Sequence, residues 1–125
     1  MIFMPGASTA LWGSSWSVSS YNNGRGDVVP VAVEVRMTLV FAADGKVRGH
    51  GGCNEFAGEY ENSETMLKMN PVASTFWVCA ASGDIMGHEA QYFSALARAA
   101  TYAIDGSRLT IRDAAGTVQV IATRR

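Results

Sequence analysis

Val35-Arg36-Met37-Thr38-Leu39-Val40-Phe41-Ala42-Ala43-Asp44-Gly45-Lys46-Val47-Arg48 is the stretch that decides how this chain folds. Val35, Met37, Leu39 and Phe41 alternate with Arg36, Thr38 and Val40, the period-two pattern of a strand with one buried face. Asp44-Gly45 interrupts the run, and Lys46-Val47-Arg48 resumes it. An Asp-Gly pair between two such runs specifies a tight hairpin.

The same device recurs downstream. Asp105-Gly106 separates Tyr102-Ala103-Ile104 from Leu109-Thr110-Ile111, and a further turn at Ala115-Gly116 leads into Val118 and Val120. The C-terminal quarter reads as a three-strand meander. One segment breaks the rhythm. Between about Asp84 and Ala100, residues Ile85, Met86, Tyr92, Phe93 and Leu96 recur at helical spacing among alanines, with Asp84 placed to cap the start. The helix is expected to dock through Ile85, Tyr92, Phe93 and Leu96, with Glu89 at the edge of that stripe, its carboxylate reaching solvent or a backbone donor. Ser19 to Val29, polar and rich in Asn and Gly, reads as a loop between the first strand, near Trp16, and the second. Strands on either side of one late helix make a mainly β, α+β fold, an antiparallel sheet packed on a single helix.

The chain has 125 residues, which reads as one domain spanning 1–125, with 1–10 as a leader remnant or disordered start. No apolar run approaches the length of a membrane-spanning helix, and the first ten residues lack the positive flank of an intact secretory signal. The formal net charge of −1 provides no basic field for a phosphate backbone, so nucleic acid is not expected as a partner. Gly45-Lys46 and Gly51-Gly52 lack the spacing of a phosphate loop. Arg25-Gly26-Asp27 is a short tripeptide that reads as a solvated turn.

The two cysteines sit in distinctive contexts, Gly51-Gly52-Cys53-Asn54 and Thr75-Phe76-Trp77-Val78-Cys79. They are compatible with a disulfide, a metal site or buried free thiols. A zinc set of His50, Cys53, Cys79 and His88 would need ligands spaced more closely on the second side than Cys79 and His88 are. A nucleophilic Cys53 with His50 or His88 as base would need an electropositive, exposed thiol. The adjacent Glu55 works against that by raising a neighbouring thiol's pKa.

The order of motifs resembles the META domain family, which includes heat-shock-associated envelope proteins. The residues carrying the resemblance are Leu11-Trp12-Gly13-Ser14-Ser15-Trp16, the Thr38–Val47 hairpin, Gly52-Cys53-Asn54-Glu55-Phe56-Ala57-Gly58-Glu59-Tyr60, Pro71-Val72-Ala73-Ser74-Thr75, Cys79, Glu89–Leu96 and Leu109-Thr110-Ile111. The resemblance implies a compact antiparallel sheet closed toward a small β-barrel, with one helix. It implies an exported, lipoprotein-like protein of the cell envelope or periplasm, linked to stress or drug tolerance and without established catalysis. Export makes a Cys53–Cys79 disulfide the simplest use of the pair. The sequence departs from the family pattern at Glu55 and Phe76, where basic residues are usual.

Phe76-Trp77-Val78 places three bulky residues in succession, which alternation cannot bury on one face. Phe76 and Trp77 are therefore the expected ligand or partner surface. The functional expectation is a monomeric, non-enzymatic, cofactor-free module binding a hydrophobic small molecule or a protein partner. The alternative is a small metal- or thiol-dependent enzyme using Cys53, His50, Cys79 and His88.

Overall fold

The computed structural model describes residues 10–32, 35–75, 79 and 85–125. Its elements run β1 (Ser14–Asn22), β2 (Val28–Pro30), β3 (Met37–Phe41), β4 (Lys46–Gly51), β5 (Glu55–Ser63), β6 (Met66–Met69), β7 (Ala73–Ser74), α1 (Ile85–Ala97), β8 (Thr101–Asp105), β9 (Arg108–Arg112) and β10 (Val118–Arg124). Every pairing is antiparallel. Eight strands follow one another around a ring, β1-β3-β4-β5-β6-β8-β9-β10, and β10 returns to β1. The sheet is thus a closed barrel, with β2 added to β1 and β7 to β5 outside the ring. Closure removes the open sheet edges that would otherwise template aggregation.

The hairpin read from the sequence is β3–β4, with Phe41 opposite Val47 and Met37 opposite Gly51. Gly45 at its turn has φ +86°, the left-handed region that glycine enters without strain. The meander is β8-β9-β10. Register shifts at Val18/Ser20 and Val118/Val120 are the irregularities that let β1 and β10 bend enough to meet.

The Ser19–Val29 loop expectation is corrected by the structure. β1 continues to Asn22, and Val28–Pro30 pairs back onto it, so the turn is only 23–27. Tyr21, 1% exposed, faces the core, and its burial outweighs the polar character of its neighbours. The side-chain oxygens of Asn22 and Asn23 accept from the backbone N–H groups of Gly24 and Arg25, closing the turn locally. Arg25-Gly26-Asp27 is exposed there.

Inward side chains fill the barrel. Trp16, Leu39, Phe41, Val47, Leu109, Ile111 and Val120 are fully buried, and Phe56, Tyr60 and Leu67 nearly so. An eight-stranded barrel has an interior just wide enough for such filling. Helix α1 touches β1 and β10 on one side of the ring and β4 and β6 on the other. A helix lying on the outer wall would touch only neighbouring strands, so α1 closes one mouth of the barrel. Tyr92 is its anchor. The ring is fully buried, packs 6.0 Å from Phe56, and donates a 3.0 Å hydrogen bond from its hydroxyl to the Thr38 carbonyl. Burial pushes its phenol pKa far up, so it remains a donor across the accessible pH range.

Tyr92 and Leu96 dock as the spacing predicts, joined by Ala95, whereas Ile85 and Phe93 are half-buried. Asp84, the expected cap, lies outside the described residues. No described helix is long and apolar enough to cross a membrane.

Candidate functional site: the Cys53 corner and the outer groove

Two neighbouring regions concentrate the polar chemistry. The first is the corner between β4 and β5. Gly51 faces inward, where an added Cβ would sit 2.7 Å from Glu89 Cγ and from a ring carbon of Phe93. Only a residue without a side chain leaves room for that carboxylate. Gly52 turns the chain at φ +111°. The Cys53 and Asn54 backbone N–H groups then both point at Glu89 Oε2, at 2.9 and 2.5 Å, and Asn54 Nδ2 donates to Oε1 at 2.8 Å.

Glu89 is only 4% exposed, which corrects its expected place at the edge of the apolar stripe, while the backbone donors expected as an alternative to solvent are the partners it has. A buried carboxylate is costly unless its oxygens are satisfied. Three donors from one turn supply that satisfaction. The network continues outward. Thr75 Oγ1 donates to Asn54 Oδ1 at 2.8 Å and accepts from the Glu55 N–H at 3.2 Å. Cys53 is bonded to Cys79 across 26 residues of chain, with Cα atoms 6.0 Å apart. The corner is thus tied to α1 by a carboxylate and to the chain leading into α1 by a disulfide.

The second region lies outside the wall. Cross-strand register sets Ser15, Val40, Arg48, Ala57 and Ala73 in one outward row over β1, β3, β4, β5 and β7. Ser17, Thr38, His50 and Glu55 form the next. Apart from Ser17, these rows, with Arg36 at one side, Arg125 at another and Ser74 and Thr75 along β7, line an open groove of about 910 Å³. Arg36, Arg48 and Arg125 are exposed, and none makes a side-chain hydrogen bond or ion pair among the described residues. Lys46, one residue pair further along β4, is instead held by Glu59 at 3.1 Å. His50 Nδ1 lies 3.2 Å from the donating Gly52 N–H and 3.1 Å from the Arg36 carbonyl. A single nitrogen serves one of these at a time, and in either tautomer Nε2 is left for the groove.

The four residues of the metal or thiol alternative do not assemble. Cys53 and Cys79 share a disulfide, so neither sulfur is a thiolate ligand or nucleophile. His50 lines the groove, while His88, exposed on α1, places Nδ1 2.6 Å from the Tyr21 hydroxyl. No group of three metal-ligating side chains occurs among the described residues. Phe76 and Trp77 lie outside the described residues.

Sequence reading missed the buried role of Glu89 and the groove. Strand parity would have set Arg48 and His50 on one outward face of β4. Arg125 had no such signal, because it reaches the groove only through closure of β10 onto β1.

The META domain model matches residues 9–125. The chain belongs to the META domain family. The barrel of this META domain recurs in solved structures. An NMR structure of a protein from Burkholderia xenovorans aligns with a TM-score of 0.73 at 17% identity, covering 100% of this chain and 94% of that one. A second NMR structure aligns with a TM-score of 0.66 at 21% identity, covering 90% of each chain. The crystal structure of a DUF4847 family protein from Bacteroides vulgatus aligns with a TM-score of 0.60 at 14% identity, over 90% of this chain and 93% of that one. At these identities the likeness is one of fold. No curated protein matches the chain.

Proposed function

We propose that this META domain is a non-enzymatic binding module of the cell envelope that engages a protein partner through the outer groove. The observation that carries this reading is the division of its polar groups. Among the described residues the interior is filled by side chains and one mouth is closed by α1, which disfavours an apolar small molecule in the barrel's usual ligand position. The groove, by contrast, presents three guanidiniums that have no side-chain partner among the described residues, over a partly apolar floor. Arginine is enriched at protein interfaces and is a frequent energetic anchor there. The disulfide supports an oxidising compartment, in keeping with the envelope association and stress link expected of the family.

The test is site-specific photo-crosslinking in the native cell. A photoreactive side chain at His50 should give a discrete adduct. The same group at Arg108, on the exposed face of β9, should not. Equal labelling at both positions, or none at His50, would overturn the reading. Thiol counting on the denatured, alkylated protein from the same cells should find none free.

A further inference from the structure

We infer that the groove recognises an extended acidic peptide segment of the partner, its carboxylates paired with Arg48, Arg36 and Arg125. This rests on the binding-module reading and adds the chemistry of what is bound. The chain as a whole carries −1, yet the described groove residues hold three arginines against one carboxylate, Glu55. Charge complementarity therefore calls for an anionic occupant. Arg48 sits diagonally between Glu55 and Glu59 on β5 but pairs with neither, Glu59 being held by Lys46.

The arginines are spread out rather than gathered at a point. Arg125 donates its backbone N–H to the Ser15 carbonyl, and Ser15 lies two strands from Arg48. Arg125 stands one strand beyond Ser15, so at the spacing of neighbouring strands its backbone is about 14 Å from that of Arg48. Arg36 precedes Met37, which opposes Gly51, so it stands about four residues along the wall from Arg48, or about 13 Å. A lone anion occupies one such position. An extended peptide carries side chains on one face about 7 Å apart, so acidic residues four apart in its sequence match either separation. Val40, Ala57 and Ala73 between the charges give its intervening residues a low, apolar floor. The guanidinium fork grips a carboxylate by two parallel hydrogen bonds, which favours arginine over lysine in such a role. Glu55 at one side disfavours acid there and sets the peptide's direction.

The probe is a synthetic peptide alternating glutamate with alanine, titrated into the full chain by fluorescence anisotropy. The wild-type protein should bind it, and the glutamine counterpart should not bind. The Arg36→Ala/Arg48→Ala double variant should bind roughly tenfold more weakly, at about two surface charge pairs lost. Glu55→Gln should tighten binding roughly twofold to threefold by removing the opposing carboxylate. Added salt should weaken every interaction. Several results would overturn the proposal: no binding by the wild type, equal affinity in the double variant, or displacement by inorganic phosphate at millimolar concentration or below. Tighter binding of a single-stranded oligonucleotide would do the same. A His50 adduct in cells alongside failure of the acidic peptide would retain a partner surface and reject its acidic chemistry.

Discussion

The Cys53 corner and the outer groove are neighbours on the chain, sharing Glu55 and Thr75, yet they treat charge in opposite ways. At the corner, Glu89 is taken out of water and every oxygen is met by a donor from one turn. On the wall, three guanidiniums stay in water and meet nothing among the described residues. The first arrangement costs desolvation and returns it as position, fixing α1 over the barrel mouth. The second costs little and leaves interaction capacity for something else. A charged side chain is informative about structure when it is buried and partnered, and about binding when it is exposed and unpartnered.

That contrast is broken most directly at Glu89. Removing the carboxylate in Glu89→Ala takes a shared acceptor away from three donors of the corner, at about 1–3 kcal/mol each when they stay buried and nothing replaces it. The expected loss, at least about 3 kcal/mol by urea denaturation, is a large share of the roughly 5–15 kcal/mol that holds a domain together. A variant as stable as wild type would show that the corner relaxes onto other partners and does not depend on α1.

The disulfide comes next. Closing a loop of this length stabilises by ~3.5 kcal/mol in the chain-entropy estimate, an upper figure wherever the reduced chain keeps structure. Cys53→Ser/Cys79→Ser should lower stability by about 2–3.5 kcal/mol and abolish the difference between oxidised and reduced samples. An unchanged denaturation midpoint would mean the hydrogen bonds alone hold the corner.

On the wall the expected effect on stability is small. Arg36→Ala/Arg48→Ala should shift stability by no more than about 0.5 kcal/mol, as for surface residues without partners. A loss above about 2 kcal/mol would place the arginines among the structural residues and erase the distinction between the two regions.

Asp113 sharpens the comparison as an intermediate case, a partly exposed charge that does have partners. Its carboxylate accepts from the Thr117 and Ala115 N–H groups and from Gln119 Nε2, closing the β9–β10 turn. The Thr117 bond above all, together with the Ala115 and Gln119 bonds and the Arg98 charge, pulls its pKa below the ordinary 3.8, while partial desolvation opposes them. A folded-state pKa lowered in this way contributes stability above the ordinary value, and that contribution disappears as pH falls through the folded value. The stability difference between wild type and Asp113→Asn should therefore be constant from neutral pH down to about 4 and shrink below it. A difference that grew in acid would reverse the sign of the coupling.

The hairpins, the meander and the helix were legible because each rests on local chemistry: period-two alternation, Asp-Gly turns, and apolar residues at helical spacing. Barrel closure was implied by the family resemblance alone, since the β1–β10 pairing joins Trp16 to Arg124 through contacts that no short window contains. The second half of β1 was misread because Ser19, Ser20, Asn22 and Asn23 surround one buried tyrosine. Glu89 was misread because a carboxylate on an apolar face is usually at its margin. Its donors lie 35 and 36 residues away in the chain. The pairing of Cys53 with Cys79 followed from export implied by the family resemblance rather than from spacing. The groove escaped notice because it is a property of several strands side by side.

Nitrogen-15 NMR of the labelled protein during titration with the glutamate–alanine peptide tests the division most directly. The account predicts amide shifts confined to the wall, at Arg36, Thr38, Arg48, His50, Glu55 and Ser74, while Glu89, Tyr92 and Leu96 on α1 stay in place. Shifts centred on α1 with the wall silent, or an unperturbed spectrum at saturating peptide, would contradict it.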